Sequence, residues 1–370
     1  MYNLEDRSYL QQPRIMPEEV VLATADRIAK HVERHGITSI LVVIHGGEPL
    51  LTGKEWMRRF VNTIRHALPI GTECKFSLQT NGVLLDSEWI QLFVDHKITV
   101  GLSLDGPQHI NDKWRVNHAG RGSYLQSIAG LELLLRSPDV YAGVLCVVDP
   151  EQDGLYIYRH FRELGITNIE FLLPAQYNWD NPPPGHADET STSVADYLIP
   201  IFDNWWAEDN PMVSIRLFDN IIRLLFGYRE RVTDAIGGNP MYQAVINTDG
   251  SIELPDVLRA CSNELVNIGL NVENDSIDAV YAHPAFALPL AGLRGLCATC
   301  KACALHDVCG GGYLPMRFSR KNGFDNPNVF CRDLWKLITH IAEAVTGKIK
   351  NIPDERLLDY AKEGAPLVHQ

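Results

Sequence analysis

The sequence lacks any stretch approaching the ~20 consecutive apolar residues that a membrane helix needs. Its first residues, Met1-Tyr2-Asn3-Leu4-Glu5-Asp6-Arg7, contain no apolar core of a secretory signal. Neither a membrane helix nor an export signal is therefore read, and the expected location is cytoplasmic. Positive charge is scarce: 33 Lys and Arg against 46 Asp and Glu leave a net charge of −13. Nucleic acids and anionic membranes both demand a basic surface, so neither is an expected partner. No repeat is present beyond an alternation of strands and helices, which excludes a solenoid or a rod. Cysteine is rare along most of the chain, with Cys74 and Cys146 alone before Cys261. At about 150 residues per domain, 370 residues make two or three domains, or one large barrel.

The first half alternates regularly. Met16-Pro17-Glu18-Glu19 opens a helix, with Pro suited to the first turn and acids near the positive end. Val21, Ala25, Ile28 and Val32 then share a face, and Gly36 suits the C-cap. The run Ile40-Leu41-Val42-Val43-Ile44 suits a parallel strand buried on both faces. Thr52 to Glu55 has capping-box spacing, and Trp56, Phe60 and Ile64 follow at helical intervals. Further strands are expected at 75–80, 100–104, 141–148 and 169–173, and further helices at 88–94, 123–135 and 155–164. In the helix at 123–135, Leu125, Ile128, Leu131 and Leu135 form the apolar stripe.

Five strands separated by helices imply right-handed βαβ units, hence a parallel sheet or a barrel. Three polar segments fall at strand ends: His45-Gly46-Gly47-Glu48-Pro49, Gln79-Thr80-Asn81-Gly82 and Asp105-Gly106-Pro107. Each alone reads as an ordinary turn. Together they sit where parallel α/β folds bind ligands, at the carboxyl ends of the strands.

The second half changes character. Asn181-Pro182-Pro183-Pro184-Gly185 is a stiff polar boundary, followed by helices at 194–207 and 217–226. A hairpin turns at Asp249-Gly250. From Cys261 the chain is loop-rich up to a closing helix at 332–345, and a segment of that kind needs a staple. Cys297-x2-Cys300-x2-Cys303-x5-Cys309 puts four thiols in 13 residues, and Cys331 lies 22 residues on. In a reducing compartment such a block binds metal rather than forming disulfides. Zinc and an iron–sulfur cluster both remain open; the adjoining Gly310-Gly311-Gly312 suits the bulkier anionic cluster. Cys74 and Cys146 read as small core residues.

In this order, these pieces resemble a radical S-adenosylmethionine (SAM) enzyme with a C-terminal SPASM-type cluster domain. The resemblance rests on His45 to Pro49, Gln79 to Gly82, Leu102 to Pro107 with Arg115-Val116, Phe171 to Pro174, and the Cys block. It implies an α/β fold: a partial parallel (β/α) barrel followed by a small Cys-rich, SPASM-like auxiliary-cluster domain. The expected division is barrel 1–180, helical linker region 181–240, iron–sulfur domain 241–350 and tail 351–370. Within the family, the nearer resemblance is to cyclophane-forming peptide maturases. It is carried by Phe171 to Pro174 with Pro182-Pro183-Pro184, by Asn247 to Ser251, and by Gly323 to Pro327 before Cys331. Sulfatase-type maturases share the domains.

By that resemblance Gly46, Gly47 and Glu48 would hold the amino group of SAM, and Asn81 and Ser103 its ribose or carboxylate end. Arg115 would meet the carboxylate, and Leu173 would pack on the adenine. One auxiliary [4Fe–4S] cluster would sit on Cys300, Cys303, Cys309 and Cys331, with Cys261 and Cys297 as candidates for a second. The implied partners are a ribosomally made precursor peptide and an electron donor such as flavodoxin or ferredoxin. The implied activity is radical crosslinking of peptide side chains, with a non-catalytic peptide-binding scaffold or a sulfatase-maturase-like enzyme as alternatives.

Two departures stand out. The family's C-x3-C-x2-C loop, which holds the SAM-cleaving cluster, has no counterpart, since no cysteine precedes Cys74. The expectation is a chain truncated ahead of helix one, with its SAM site otherwise intact but unable to cleave SAM as it stands. The usual auxiliary module also has a further Cys shortly after the equivalent of Cys309, where this chain reads Gly310-Gly311-Gly312-Tyr313.

Overall fold

A computed structural model describes residues 8–117, 119–188, 190–229 and 233–350. The segment Met1 to Asn3 and the expected tail 351–370 lie outside the described residues. Helix α1 (Glu18–His35) starts behind Pro17 with Glu18 and Glu19 in its first turn. It ends on left-handed Gly36, whose N–H reaches the carbonyls of Glu33 and Val32. The alternation then runs β1 (Ser39–Ile44), α2 (Lys54–Ala67), β2 (Glu73–Thr80), α3 (Ser87–His96), β3 (Ile98–Ser103). It continues with α4 (Gln108–Trp114), α5 (Tyr124–Leu135), β4 (Tyr141–Val147), α6 (Gly154–Glu163) and β5 (Asn168–Leu172). Beyond the Pro-rich segment come α7 (Ser193–Glu208), the two-residue strand β6 (Ser214–Ile215) and α8 (Arg216–Leu225).

All six strands are parallel, in the order β1-β2-β3-β4-β5-β6. Right-handed crossovers between sequential neighbours place the helices on one face and leave the other concave, as in a partial barrel. Register sorts the side chains. Val42 and Ile44 align with Phe76 and Leu78, and these with Ile98 and Val100, on the helix-covered face. Phe76, Phe93, Phe161 and Phe171 are fully buried there. Alternation puts Leu41, Val43, Ser77, Gln79, Gly101 and Ser103 on the concave face.

Three sequence expectations need correction. β1 is not buried on both faces: it is the edge strand, and Leu41 and Val43 are 60% and 51% exposed. Thr52 does not cap α2, because its hydroxyl donates to the Pro49 carbonyl at 2.8 Å and closes a 3₁₀ turn, leaving Gly53 at the cap. Leu125 is 68% exposed. The face of α5 turned to the sheet is Ser127, Gly130, Leu131 and Leu134 instead. Small residues are required there, since a Cβ on Gly130 would stand 2.4 Å from the Gly82 carbonyl.

The rest of the chain builds a second, smaller core. Strands β7 (Val245–Ile246), β8 (Ser251–Glu253) and β9 (Asn267–Asn271) form an antiparallel sheet turning at Gly250, with α9 (Asn263–Val266) before β9. Short helices α10 (Ile277–Ala282), α11 (Ala287–Ala291), α12 (Ala298–Lys301) and α13 (His306–Cys309) follow, and α14 (Cys331–Lys350) closes the described chain. Ile252, Leu254, Leu258, Val272 and Phe286 centre this core. Helix α1 serves both: Val21 and Ala25 face the barrel core, and Val20 joins the second.

Helix α14 docks through a buried acid. Asp333 accepts from the Val194 N–H at 2.8 Å and the Ala195 N–H at 3.0 Å, capping α7 from outside it. Burial raises its pKa, and the two N–H donors pull the other way. Replacing Asp333 with Ala leaves two donors unpaired and should cost about 2 kcal/mol, read as a lower denaturant midpoint at unchanged m-value.

Candidate functional site

The carboxyl ends of β1, β2 and β3 deliver their three polar loops to one rim. Glu48 organises it. One carboxylate oxygen accepts from the Leu50 N–H at 3.1 Å and the Thr80 hydroxyl at 2.8 Å. The other accepts from the Asn81 N–H at 2.9 Å. Two loops far apart in sequence are thereby tied by one side chain. Gly46 and Gly47 lie exposed beside it, and a Cβ built on either meets no protein atom within 4 Å. Packing within the chain does not require a glycine at Gly47; an open backbone edge here suits a ligand in close approach.

The other expected SAM contacts are placed as follows. Asn81 turns its Oδ1 back to the Val83 N–H at 2.9 Å, and its carbonyl accepts from Ser127 at 2.7 Å. Ser103 accepts from the Gln79 amide at 2.9 Å across bare Gly101, where a Cβ would stand 2.1 Å from Gln79 Oε1. Arg115 is not turned to an open site. Its Nε and Nη2 grip Asp105 at 2.6 and 3.1 Å, and Asp105 also accepts from the Val147 N–H at 3.1 Å. A bidentate internal carboxylate is the simplest partner for a guanidinium, so Arg115 in this state braces the ends of β3 and β4. Leu173 is 6% exposed and packs in the barrel core.

One carboxylate at the rim escaped the sequence reading. Asp256, just after β8, lies 3.8 Å from the ring of His45, the residue before the Gly-Gly pair. It thus brings the second domain to the barrel mouth. Buried Tyr313, whose hydroxyl is pushed well above its ordinary pKa by burial and then by Asp234, Asp256 and Cys261, lies in the same region. No local motif marks Asp256; Pro255 before it is the sole signal in the sequence.

The structure brings Cys297, Cys300, Cys303, Cys309 and Cys331 near one another, and all eight cysteines are free thiols. Burial pushes the Cys300 thiol up to about 12, with Cys297, Cys309 and Cys331 adding to the rise. Burial does the same to Cys309, again to about 12, with Cys331 and Cys303 beside it, while the Gly311 and Gly312 N–H groups favour its thiolate. Cys331 is also raised by burial, and it stands at the N-terminus of α14, where the helix dipole favours an anion. Bare thiolates are therefore unfavourable at Cys300, Cys309 and Cys331, and cationic iron would supply the compensation. Tetrahedral zinc, at about 2.3 Å per sulfur, would draw its thiols to within about 4 Å of one another. Among the described residues no three thiols lie within 4.8 Å of each other. Cys261 is set differently: it contacts the Pro315 carbonyl at 3.5 Å, and burial pushes it up to about 12 with Asp180 nearby.

Gly310, Gly311 and Gly312 are all left-handed, at φ 61°, 77° and 64°. Their own packing demands glycine as well: a Cβ would strike Gly238 N, Leu296 Cδ2 and Asn328 Nδ2 at 1.9, 2.5 and 2.4 Å. Beside the thiols lies Arg317, 4% exposed, bonded to the carbonyls of Gly295, Phe324 and Asn326. Cys300, Cys297 and Cys309 favour its charged form against the effect of burial. A thiolate-held cluster is anionic, and Arg317 is a buried counter-charge in reach of it.

No family model matches the sequence. The chain is 26% identical over 324 residues to a cysteine-type anaerobic sulfatase-maturating enzyme of Clostridium novyi, covering 83% of this chain and 81% of that protein. It is 23% identical over 359 residues to a serine-type anaerobic sulfatase-maturating enzyme of Bacteroides thetaiotaomicron, covering 92% and 85%. Among solved structures it matches native anSMEcpe with bound AdoMet and Kp18Cys peptide at a TM-score of 0.79 and 22% identity, over 91% of this chain and 92% of that one. The chain has the radical SAM/SPASM fold. Both relatives named above are sulfatase-maturating enzymes, and no helix among the described residues is long and apolar enough to cross a membrane.

The Cys block is the expected place for a cluster. Reconstituted without oxygen, the protein should carry about four iron atoms. Serine at Cys300, Cys303, Cys309 or Cys331 should each lower that count, and Cys261→Ser should not; four serine variants with full iron would refute the ligand set. Arg317→Met strands three carbonyls and should cost about 3 kcal/mol in thermal unfolding.

Proposed function

We propose that this chain is the SAM- and peptide-binding body of a radical SAM maturase that modifies side chains of a ribosomally made peptide. The observation that carries the reading is the Glu48 bracket with exposed Gly46 and Gly47 beside it, where no side chain fills the space, at the mouth of a barrel whose fold neighbour was solved with AdoMet and a peptide bound. When bound, SAM with its reducing cluster supplies hydrogen abstraction, and an auxiliary cluster supplies one-electron transfer. The residues of the chain bind and orient. The Gly46-Gly47 backbone and Glu48 meet the amino group of SAM, and Asn81 and Ser103 its ribose or carboxylate end. Arg115 reaches that carboxylate by sharing or exchanging Asp105. Leu173 lies behind the adenine. Cys300, Cys303, Cys309 and Cys331 hold one auxiliary [4Fe–4S] cluster.

Asp256, at the barrel mouth beside His45, is the carboxylate we assign to take a proton from the substrate. A small electron carrier such as flavodoxin or ferredoxin completes the reaction. The crosslinking reading rests on the resemblance to cyclophane-forming maturases carried by Phe171 to Pro174 with Pro182-Pro183-Pro184, by Asn247 to Ser251 and by Gly323 to Pro327. Relatives named as sulfatase-maturating enzymes support a second reading, in which the peptide belongs to a sulfatase.

Calorimetry should find SAM binding that weakens about tenfold in Glu48→Ala, since loss of the bracket frees both loops. Equal binding by parent and variant would remove the rim from the site. A crosslink between two side-chain carbons removes two hydrogens from the peptide. In an assay with a complementing SAM-cleaving cluster, mass spectrometry should report that loss on a precursor peptide and not on a sulfatase-derived one. The reverse outcome selects the second reading, and unmodified peptide in both selects a non-catalytic scaffold.

A further inference from the structure

Helix α1 carries two histidines one turn apart, and both point away from the rim to a single acid. His31 Nδ1 lies 2.7 Å and His35 Nε2 2.6 Å from Asp278 Oδ1, in the first turn of α10. The two rings stand 4.6 Å apart between centroids, tilted by 49°. One ligand atom from each residue falls within 4.8 Å of the others. The second carboxylate oxygen is held by Arg34 at 2.5 Å. Hydrogen bonds from His35, His31 and Arg34 hold the Asp278 carboxyl down to about 2, so it is ionised under all ordinary conditions.

We infer that His31, His35 and Asp278 form a binding site for one divalent first-row transition ion, zinc being the representative, between the barrel and the second domain. The donor set decides the class. Two imidazoles and one carboxylate suit zinc and its neighbours, whereas magnesium and calcium take oxygen ligands. An i, i+4 pair on one helix face brings two imidazoles to one ion without backbone movement. Ligands about 2 Å from a tetrahedral ion stand roughly 3.3 Å apart, so each ring need withdraw from Asp278 Oδ1 by only about half an ångström. His35 is half-exposed, which leaves the fourth position to water. Arg34 keeps the carboxylate oriented through its other oxygen, a common outer partner for a metal-bound acid. The ion would staple segments 243 to 247 residues apart in the chain, on the helix where Arg27 already bonds the Val272 and Glu273 carbonyls at 2.8 and 2.7 Å.

The test uses the full chain with its Cys block loaded with iron and sulfide, so that thiols are not free to take the probe. After incubation with zinc chloride and gel filtration, elemental analysis should find one zinc per chain beyond the iron. His31→Gln/His35→Gln and Asp278→Asn should lose that zinc while keeping parent iron content, which doubles as the check that they fold. Zinc should raise the Tm of the parent and not of the variants. Cobalt chloride gives a second reading: visible bands without the near-ultraviolet absorption of cobalt–thiolate bonds. Failure of the parent to retain zinc, equal retention by the variants, or a thiolate signature for cobalt would each overturn the assignment.

Discussion

Much of this molecule depends on one carboxylate. Glu48 leaves β1 and accepts three hydrogen bonds, one from its own turn and two from the end of β2. Parallel strands in sequential order bring their loops to one rim, yet such loops have no ladder of their own to hold them. A side chain must supply the bonds, and it must be anionic and short-tethered to reach two backbone N–H groups and a hydroxyl together. The same logic recurs one loop further on. Asp105 bridges Arg115 and the Val147 N–H, tying β3 to β4. The rim is built as a chain of internal carboxylates, with the exposed glycines Gly46 and Gly47 beside it.

The second half solves a different problem. A loop-rich segment buries few apolar side chains, and its core of Ile252, Leu254, Leu258 and Phe286 is small. It leans on its neighbours. Val20 of α1 completes that core, Asp256 reaches His45 at the barrel mouth, and Asp333 caps α7. The thiols are the remaining device. Burial raises the pKa of Cys300, Cys309 and Cys331, which makes them poor isolated ions, and buried Arg317 alone does not offset the block. Metal binding and folding of this domain are therefore expected to be one process.

Much was readable in the residues taken alone. The helix α1 from Pro17 to Gly36, the alternation to β5, the hairpin at Asp249-Gly250, the helices α7 and α8 and the grouping of Cys297 to Cys309 with Cys331 all follow from local chemistry: caps, periodicity, turn residues and metal-ligand spacing. Each is decided by residues close in sequence, where the backbone has few choices.

What tertiary structure alone decided involves partners distant in the chain. The exposure of Leu41 and Val43 depends on which strand lies at the sheet edge, and the hydrophobic run is silent on that. The two-residue β6 is too short to carry a period. Arg115 meets Asp105 at ten residues' separation, and Leu125 faces water because α5 must bring Ser127 and Gly130 against the Asn81-Gly82 turn. Asp256 and His45, and Asp278 with His31 and His35, pair across more than two hundred residues. A sequence specifies the donors and acceptors; folding of the chain sets which of them come within three ångströms, because those distances depend on helices and strands packing as rigid bodies rather than on neighbouring residues.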